Sequence, residues 1–185
     1  MSKMSLANPW RSAAVFVLLS GLALAGCGFH LRGSGEDASF AQRLYLDGPA
    51  ARTGFRGVFE TALSYVGGSV VGSPEESTGI VYLYNATFRR QPVTLSSTGR
   101  ATGFDLSYRV VYEVRSPKGV VLQPRKEFEL KRDYYNDQTL PLAQQSEEGQ
   151  INEALANEAA QSLLLRVVYQ LKKTSESAAS PEKKL

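Results

Sequence analysis

The stretch FDLSYRVVYEV, residues 104–114, decides the fold, because every second position from Phe104 to Val114 carries an apolar or aromatic residue. Alternate residues of a β-strand share one face, so this spacing predicts an amphipathic strand with one covered face. An upstream stretch that begins at Gly79 has the same period. Its predicted covered face consists of Ile80, Tyr82, Tyr84, Ala86 and Phe88.

Turn-forming residues connect the predicted strands. The segment QPVTLSSTGRATG, residues 91–103, predicts a projecting hairpin tip, and SPKG, residues 116–119, predicts a tight turn. A further strand follows that turn, and Pro124 within it indicates a bulge or an edge position, since proline has no amide hydrogen to donate. A short first strand contains Leu44 and Leu46.

Two segments have the spacing of helices instead. In the first segment, apolar residues three or four positions apart share one face. Thr53 is its expected N-cap, and Gly67 with Gly68 is expected to end it. The apolar face consists of Phe55, Phe59, Ala62 and Val66.

The second helical segment is longer. Ser146 is its expected N-cap, and two glutamates follow in the first turn, where they interact favourably with the helix dipole. From Ile151 onward a broad apolar band suits packing across a sheet. A strand over SLLLRVVYQL, residues 162–171, is the alternative interpretation.

The order of these segments predicts an α+β fold. We expect a four-stranded, mostly antiparallel sheet with two α-helices packed on one face, in the order β-α-β-β-β-α. The expected domain spans residues 40–173. Residues 174–185 have no large apolar residue before the last and are expected to form a disordered polar tail.

The start of the chain carries an export signal. A basic stretch and a short apolar run lead to LAGCG, residues 24–28, the pattern of a lipobox. We therefore expect residues 1–26 to be a lipoprotein signal peptide and Cys27 to carry covalent lipid, with residues 27–39 as a lipidated tether. Gly28, in place of aspartate after the cysteine, indicates the periplasmic side of the outer membrane. An ordinary secretory peptide with an unmodified cysteine is the alternative.

Catalytic groups are scarce in this sequence. The only histidine, His30, lies three residues from Cys27, which is the only cysteine. No metal-ligand spacing and no GxSxG motif occur, so we expect no enzyme, no metal and no cofactor beyond the lipid on Cys27. Removing residues 1–26 takes away two basic residues and no acidic one, so the formal charge of +3 falls to about +1. Nucleic acid is therefore not an expected partner.

Three segments resemble one family. CGFHLRG at residues 27–33, LSSTGRATGFDLSYRVVYEV at residues 95–114 and KRDYYND at residues 131–137 resemble the lipopolysaccharide-assembly lipoproteins of the LptE family. The resemblance covers essentially the whole mature chain. It implies a plug inside the outer-membrane β-barrel LptD that helps assemble the barrel and assists delivery of lipopolysaccharide to the outer leaflet.

Basic side chains are the expected contacts for such a role, because they donate charge-assisted hydrogen bonds to phosphates and carboxylates. The family offers no basic motif to carry over, so the candidates follow from charge and predicted position. The alternative is an ordinary solvated strand face. The candidates for lipopolysaccharide or barrel contact are Arg89, Arg90, Arg100, Lys131 and Arg132.

Two other classes of function stay open. A scaffold lipoprotein of another outer-membrane assembly or secretion machine would share the lipobox and the lack of catalytic groups. A periplasmic enzyme that uses carboxylates is less favoured, and it would need a cleft around a perturbed acid or base.

Overall fold

The chain folds as an α+β layer in the computed structural model, which describes residues 42–135 and 141–179. The described residues belong to one compact unit. The elements are β1 (Arg43–Asp47), α1 (Phe55–Tyr65), β2 (Ser69–Val70), β3 (Gly79–Leu95), β4 (Ala101–Arg115), β5 (Val121–Tyr135) and α2 (Pro141–Ala179), with 3-10 turns at Pro49–Arg52 and Pro74–Glu76. The predicted signal peptide, the predicted tether, Cys27 and His30 lie outside the described residues.

The sheet is mixed and has five strands within the described ranges, in the order β2-β1-β3-β4-β5. Strand β1 is parallel to both β2 and β3, whereas β3, β4 and β5 form an antiparallel meander. The predicted α+β class with two helices is confirmed, and the predicted antiparallel pairing holds for β3, β4 and β5. The prediction is wrong in the number of strands, which is five and not four, and in missing the parallel pairing of β1. It missed β2, because a strand of two residues is too short to show alternation.

The hydrophobic core lies between the helices and one face of the sheet. The predicted face of β4 is confirmed, because all its even-numbered residues from Phe104 to Val114 are buried. Leucines and valines of α1 and α2 complete the same cluster, among them Leu63, Leu163 and Val167. A helix rather than a strand thus covers residues 162–171.

A bulge changes the face of β3. The register shifts between Leu83 and Asn85, and the extra residue reverses which positions point toward the core. Val81 and Leu83 are fully buried in the core cluster, so the prediction that Tyr82 and Tyr84 lie on the covered face is wrong. Beyond the bulge the predicted face is restored, since Ala86 and Phe88 pack against the core.

The ends of α1 show one confirmed and one wrong prediction. Gly67 adopts a left-handed conformation (φ +76°), and the Gly68 amide donates to the Leu63 carbonyl at 3.0 Å, as in a Schellman motif. Thr53 is not the N-cap, because Gly54 occupies that position. The Thr53 hydroxyl instead donates to the Ala50 carbonyl at 2.8 Å.

The hairpins are longer and tighter than predicted. Strands β3 and β4 continue through most of the predicted tip, which leaves a turn in which the Ser96 amide donates to the Arg100 carbonyl at 2.7 Å. The turn at Ser116–Gly119 is confirmed by a 2.8 Å hydrogen bond from the Ser116 amide to the Val120 carbonyl. Pro124 lies in the edge strand β5 beside a register shift, as its residue type predicts.

Helix α2 exceeds its predicted limits at both ends. It begins at Pro141 rather than after Ser146, and proline suits a first helical position because its φ is already helical. The expected polar tail is helical from Thr174 as far as Ala179.

Gly48 is a site where the fold requires glycine. Its φ is +94°, and a Cβ there would lie 2.5 Å from the Leu83 carbonyl oxygen. We expect Gly48→Ala to lower the free energy of unfolding by about 1–3 kcal/mol in urea titrations, through backbone strain and steric conflict. Gly57→Ala in α1 is the matched control, because a Cβ there meets no atom within 4 Å, and we expect it to stabilise the helix slightly. Equal stability of the Gly48 variant and the unmodified protein would contradict this requirement.

Candidate functional site

One face of the sheet lies opposite the helices. The core cluster joins the helices to even-numbered residues of β4, so the odd-numbered residues point the other way. We call this side the open face; it includes Tyr82 and Tyr84 of β3 and the odd-numbered residues of β4. Two polar residues there, Ser107 and Glu113, are buried, because β4 is the middle strand of the meander and is flanked by long side chains of β3 and β5.

Glu113 organises a polar and aromatic cluster on the open face. Its carboxylate accepts a hydrogen bond from Arg115 Nε at 2.6 Å and another from the Tyr84 hydroxyl at 3.3 Å. The Arg115 guanidinium lies 4.6 Å from the centroid of the Tyr82 ring, and Arg125 lies 4.5 Å from that of Tyr84. The hydrogen bond to Glu113 raises the pKa of Arg115 above its ordinary value. The cluster is thus a fixed surface of tyrosine and arginine.

Sequence reasoning missed this cluster. The signal that could have revealed it is the glutamate at position 113, inside an otherwise apolar run, since a carboxylate in a strand interior needs a cationic or hydrogen-bonding partner. The two tyrosines could not be assigned to it, because the bulge that exposes them leaves no mark in the sequence period.

Arg89 and Lys131 also lie on the open face. Arg89 pairs with Ser107 across β3 and β4, and Ser107 pairs with Lys131 across β4 and β5, so the two cations occupy one cross-strand row. Neighbouring strands are roughly 4.8 Å apart, which puts their backbones about 10 Å from each other. Lys131 Nζ lies 3.6 Å from Glu129, a contact typical of a solvated strand face.

Arg90 and Arg132 lie on the helix-covered face. Both flank Leu106 in one cross-strand row. Arg90 Nε contacts Glu148 at 3.0 Å, and Arg132 Nη2 contacts Glu158 at 3.0 Å. The two arginines therefore hold α2 from opposite sides.

A tyrosine joins the Arg90 contact. The Tyr134 hydroxyl donates to Glu147 at 3.2 Å. Burial raises the pKa of Tyr134, Glu147 and Glu148 raise it further, and Arg90 opposes them. These four groups form one electrostatic unit where α2 begins to cross the sheet.

Arg100 is separate from the other four candidates. It lies in the β3–β4 turn, where its amide donates to the Ser96 hydroxyl at 3.1 Å, and its side chain is exposed. Large apolar side chains are also exposed near this end of the sheet, namely Val93, Leu95 and Tyr135. The structure thus distributes the five predicted residues over the open face, the helix-covered face and the hairpin tip, and does not gather them into one patch.

Two depressions in the described surface differ in their lining, and one of about 210 Å³ is lined by residues that include Asp47, Arg52 and Arg56. A groove of about 360 Å³ near the C-terminal part of α2 is lined by residues such as Gln42, Leu122 and Leu171, with no carboxylate or histidine among its lining residues.

Across residues 42–135 and 141–179, no group of three or more potential metal ligands occurs. No helix in those ranges is long and apolar enough to cross a membrane.

A family model for lipopolysaccharide assembly, LptE, matches residues 41–167, which is more than half of the chain. The chain belongs to the LptE family. This LptE-family protein is therefore a lipoprotein of lipopolysaccharide assembly and outer-membrane biogenesis, and the resemblance in the sequence is confirmed.

Solved structures have the same fold as this LptE-family protein. An uncharacterized lipoprotein B from Nitrosomonas europaea is 25% identical with a TM-score of 0.62, covering 83% of this chain and 94% of its own. The rare lipoprotein B from Shewanella oneidensis is 19% identical with a TM-score of 0.57, covering 74% and 98%. A minor lipoprotein from Acinetobacter baumannii is 16% identical with a TM-score of 0.57, covering 70% and 92%. The last two show the fold alone. No match was found among curated proteins.

The buried carboxylate of Glu113 gives a test of the open-face cluster. Glu113→Ala leaves the Arg115 guanidinium and the Tyr84 hydroxyl without their acceptor, and we expect a loss of about 1–3 kcal/mol in the free energy of unfolding, measured with urea. Glu127→Ala, which removes the exposed partner of Arg109, is the matched control, and we expect a smaller change. A Glu113 variant that unfolds like the Glu127 variant would show that the cluster does not stabilise the sheet.

Proposed function

We propose that this protein is anchored to the periplasmic side of the outer membrane through lipid on Cys27 and acts as a plug in the LptD β-barrel. In that role it helps the barrel assemble and assists passage of lipopolysaccharide to the outer leaflet. The observation that carries the proposal is the LptE family match over residues 41–167. The domain boundaries proposed with it are the signal peptide at residues 1–26 and the tether at residues 27–39.

The length of the sheet supports a plug. Strands β4 and β5 have 15 residues each and β3 has 17, so the meander extends roughly 50 Å at about 3.3 Å per residue. A bilayer with its headgroups is about 40–45 Å thick. The β3–β4–β5 meander is therefore long enough to contact a barrel wall over much of the membrane thickness.

The start of the described domain and the hairpin tip lie at different ends of the meander. The described residues begin at Gln42, beside Thr78 and the start of β3, where the Thr78 hydroxyl donates to the Gln42 side chain at 2.7 Å. The turn with Arg100 lies at the other end of β3. Gln42 and the hairpin tip therefore lie at opposite ends of the meander, which supports contact of the tip with a barrel or a lipid away from the point where the proposed tether joins the domain.

The open face is suited to a barrel interior. It presents tyrosine, arginine and charged side chains, and tyrosine and arginine are enriched where proteins meet. The interiors of outer-membrane barrels are polar, so a face of this composition matches them better than an apolar face would. The proposed contacts for lipopolysaccharide or the barrel wall are Arg89, Lys131 and the tip residue Arg100. Arg90 and Arg132 are already paired with glutamates of α2, so they would make such contacts only with donors that these ion pairs do not use.

Co-purification tests the plug. The tagged full-length lipoprotein, extracted from outer membrane in detergent, should retain one large β-barrel protein in equimolar amount through stringent washing. Recovery of the lipoprotein alone, or with several periplasmic proteins, would favour a scaffold of another outer-membrane machine.

Lipidation is tested by Cys27→Ala. Without the thiol the precursor cannot be acylated, so we expect it to stay uncleaved or to leave the membrane fraction, and to lose incorporation of labelled palmitate. Retained palmitate label on the variant would contradict anchoring through Cys27.

The hairpin tip is tested by charge reversal. Arg100→Glu should weaken lipopolysaccharide binding by roughly three- to tenfold in a titration, because one charge-assisted contact becomes repulsive. Lys118→Glu is the matched control, since Lys118 is an exposed cation in the turn at the other end of the sheet. Equal affinity of the two variants would place the contact away from the tip.

A further inference from the structure

The beginning of α2 is held to the sheet by polar contacts. Of the residues from Gln144 to Gln150, which we call the strap, none is buried. Glu147 accepts from the Tyr134 hydroxyl, and Glu148 pairs with Arg90. Among the α2 residues from Gln144 onward, apolar packing begins with Ile151 and becomes complete at Leu155. The strap is thus attached through the Tyr134–Glu147 hydrogen bond and the Arg90–Glu148 ion pair, and such contacts stabilise a structure only weakly where water reaches them.

Arg90 is positioned for a second anion. Its guanidinium carbon lies 3.5 Å from the centroid of the Phe104 ring, so the plane of its donors is fixed by a buried aromatic residue. Its Nε donates to Glu148. Within the described residues its terminal Nη groups have no acceptor, and its side chain is 41% exposed. A phosphate could approach those donors from solvent, and arginine binds phosphate and carboxylate in the same two-pronged geometry.

Gly149 provides a joint next to this contact. It lies inside α2, directly after Glu148, and a Cβ at this position would meet no atom within 4 Å. Packing therefore does not require glycine here. Glycine is the weakest helix former after proline, so it lowers the stability of the helix at this point. The joint separates the polar strap from the part of α2 that packs in the core.

We propose that Glu148 occupies an anion site on Arg90, and that a ligand phosphate or carboxylate displaces it and detaches the strap about Gly149. The inference rests on the proposed function, which supplies an anionic lipid as ligand. Of the described residues, Glu147, Glu148 and Arg90 carry the charges that act on the Tyr134 hydroxyl beside the site. Beyond Gly149 the helix is held by the core, because Leu155, Ala159 and Leu163 are fully buried. Movement is therefore confined to the first turns.

Hydrogen exchange and affinity, measured on the full lipoprotein in detergent with purified lipopolysaccharide as the probe, test the proposal. In the unmodified protein, saturation with lipopolysaccharide should accelerate amide exchange in residues 144–150 and leave residues 155–171 unchanged. Glu148→Gln should accelerate exchange in the strap without ligand and tighten binding about threefold, because the internal competitor has lost its charge. Gly149→Ala should slow exchange and weaken binding, although it changes no charge. Arg90→Gln should weaken binding.

Glu153→Gln is the matched control, because Glu153 is exposed on the same helix. It removes the same charge and should change neither exchange nor affinity. Equal affinity of the Glu148 and Glu153 variants, or a strap whose exchange does not respond to saturating lipopolysaccharide, would overturn the inference and leave the proposed function intact. Failure of every variant and of the unmodified protein to bind lipopolysaccharide would overturn the proposed lipid contact and this inference together.

Discussion

The pairing of β4 with β3 on one side and β5 on the other is the constraint on which the structure depends. Both neighbours follow β4 along nearly its whole length, so its backbone polar groups are satisfied within the sheet and its side chains are shielded on both faces. The face with the even-numbered residues of β4 packs against the helices in the hydrophobic core. The other buries Glu113, which then needs Arg115 and Tyr84 as partners. The core and the open face are therefore two consequences of the way β4 is paired on both sides.

Sequence reasoning succeeds where a period is long and unbroken. The alternation over residues 104–114 and the apolar band of α2 predict the α+β class, the covered face of β4 and the helix over residues 162–171 correctly. Sequence reasoning fails where a bulge shifts the alternation of a strand, or where a strand is too short to show one. A single extra residue in β3 moves Tyr82 and Tyr84 to the opposite face, and β2 depends on parallel pairing with β1, a long-range contact that two residues cannot encode in a pattern.

The candidate site shows a similar division. Charge and predicted strand position were enough to select five basic residues, but not to say which side of the sheet each occupies. Arg89 and Arg90 are neighbours in sequence and therefore point to opposite faces, where one meets solvent and the other a glutamate of α2. Such partners come from a helix more than fifty residues away, so the sequence alone could not separate an available arginine from an engaged one.

The position of β1 has a mechanical consequence. The strand nearest the proposed anchor lies inside the sheet, between β2 and β3, and is parallel to both. A pull exerted along β1 from its N-terminal end loads the hydrogen bonds on both sides in shear, where they resist together, and does not peel them one at a time as from an edge. A strand that resists traction in this way suits the proposed attachment of the domain to a lipidated tether.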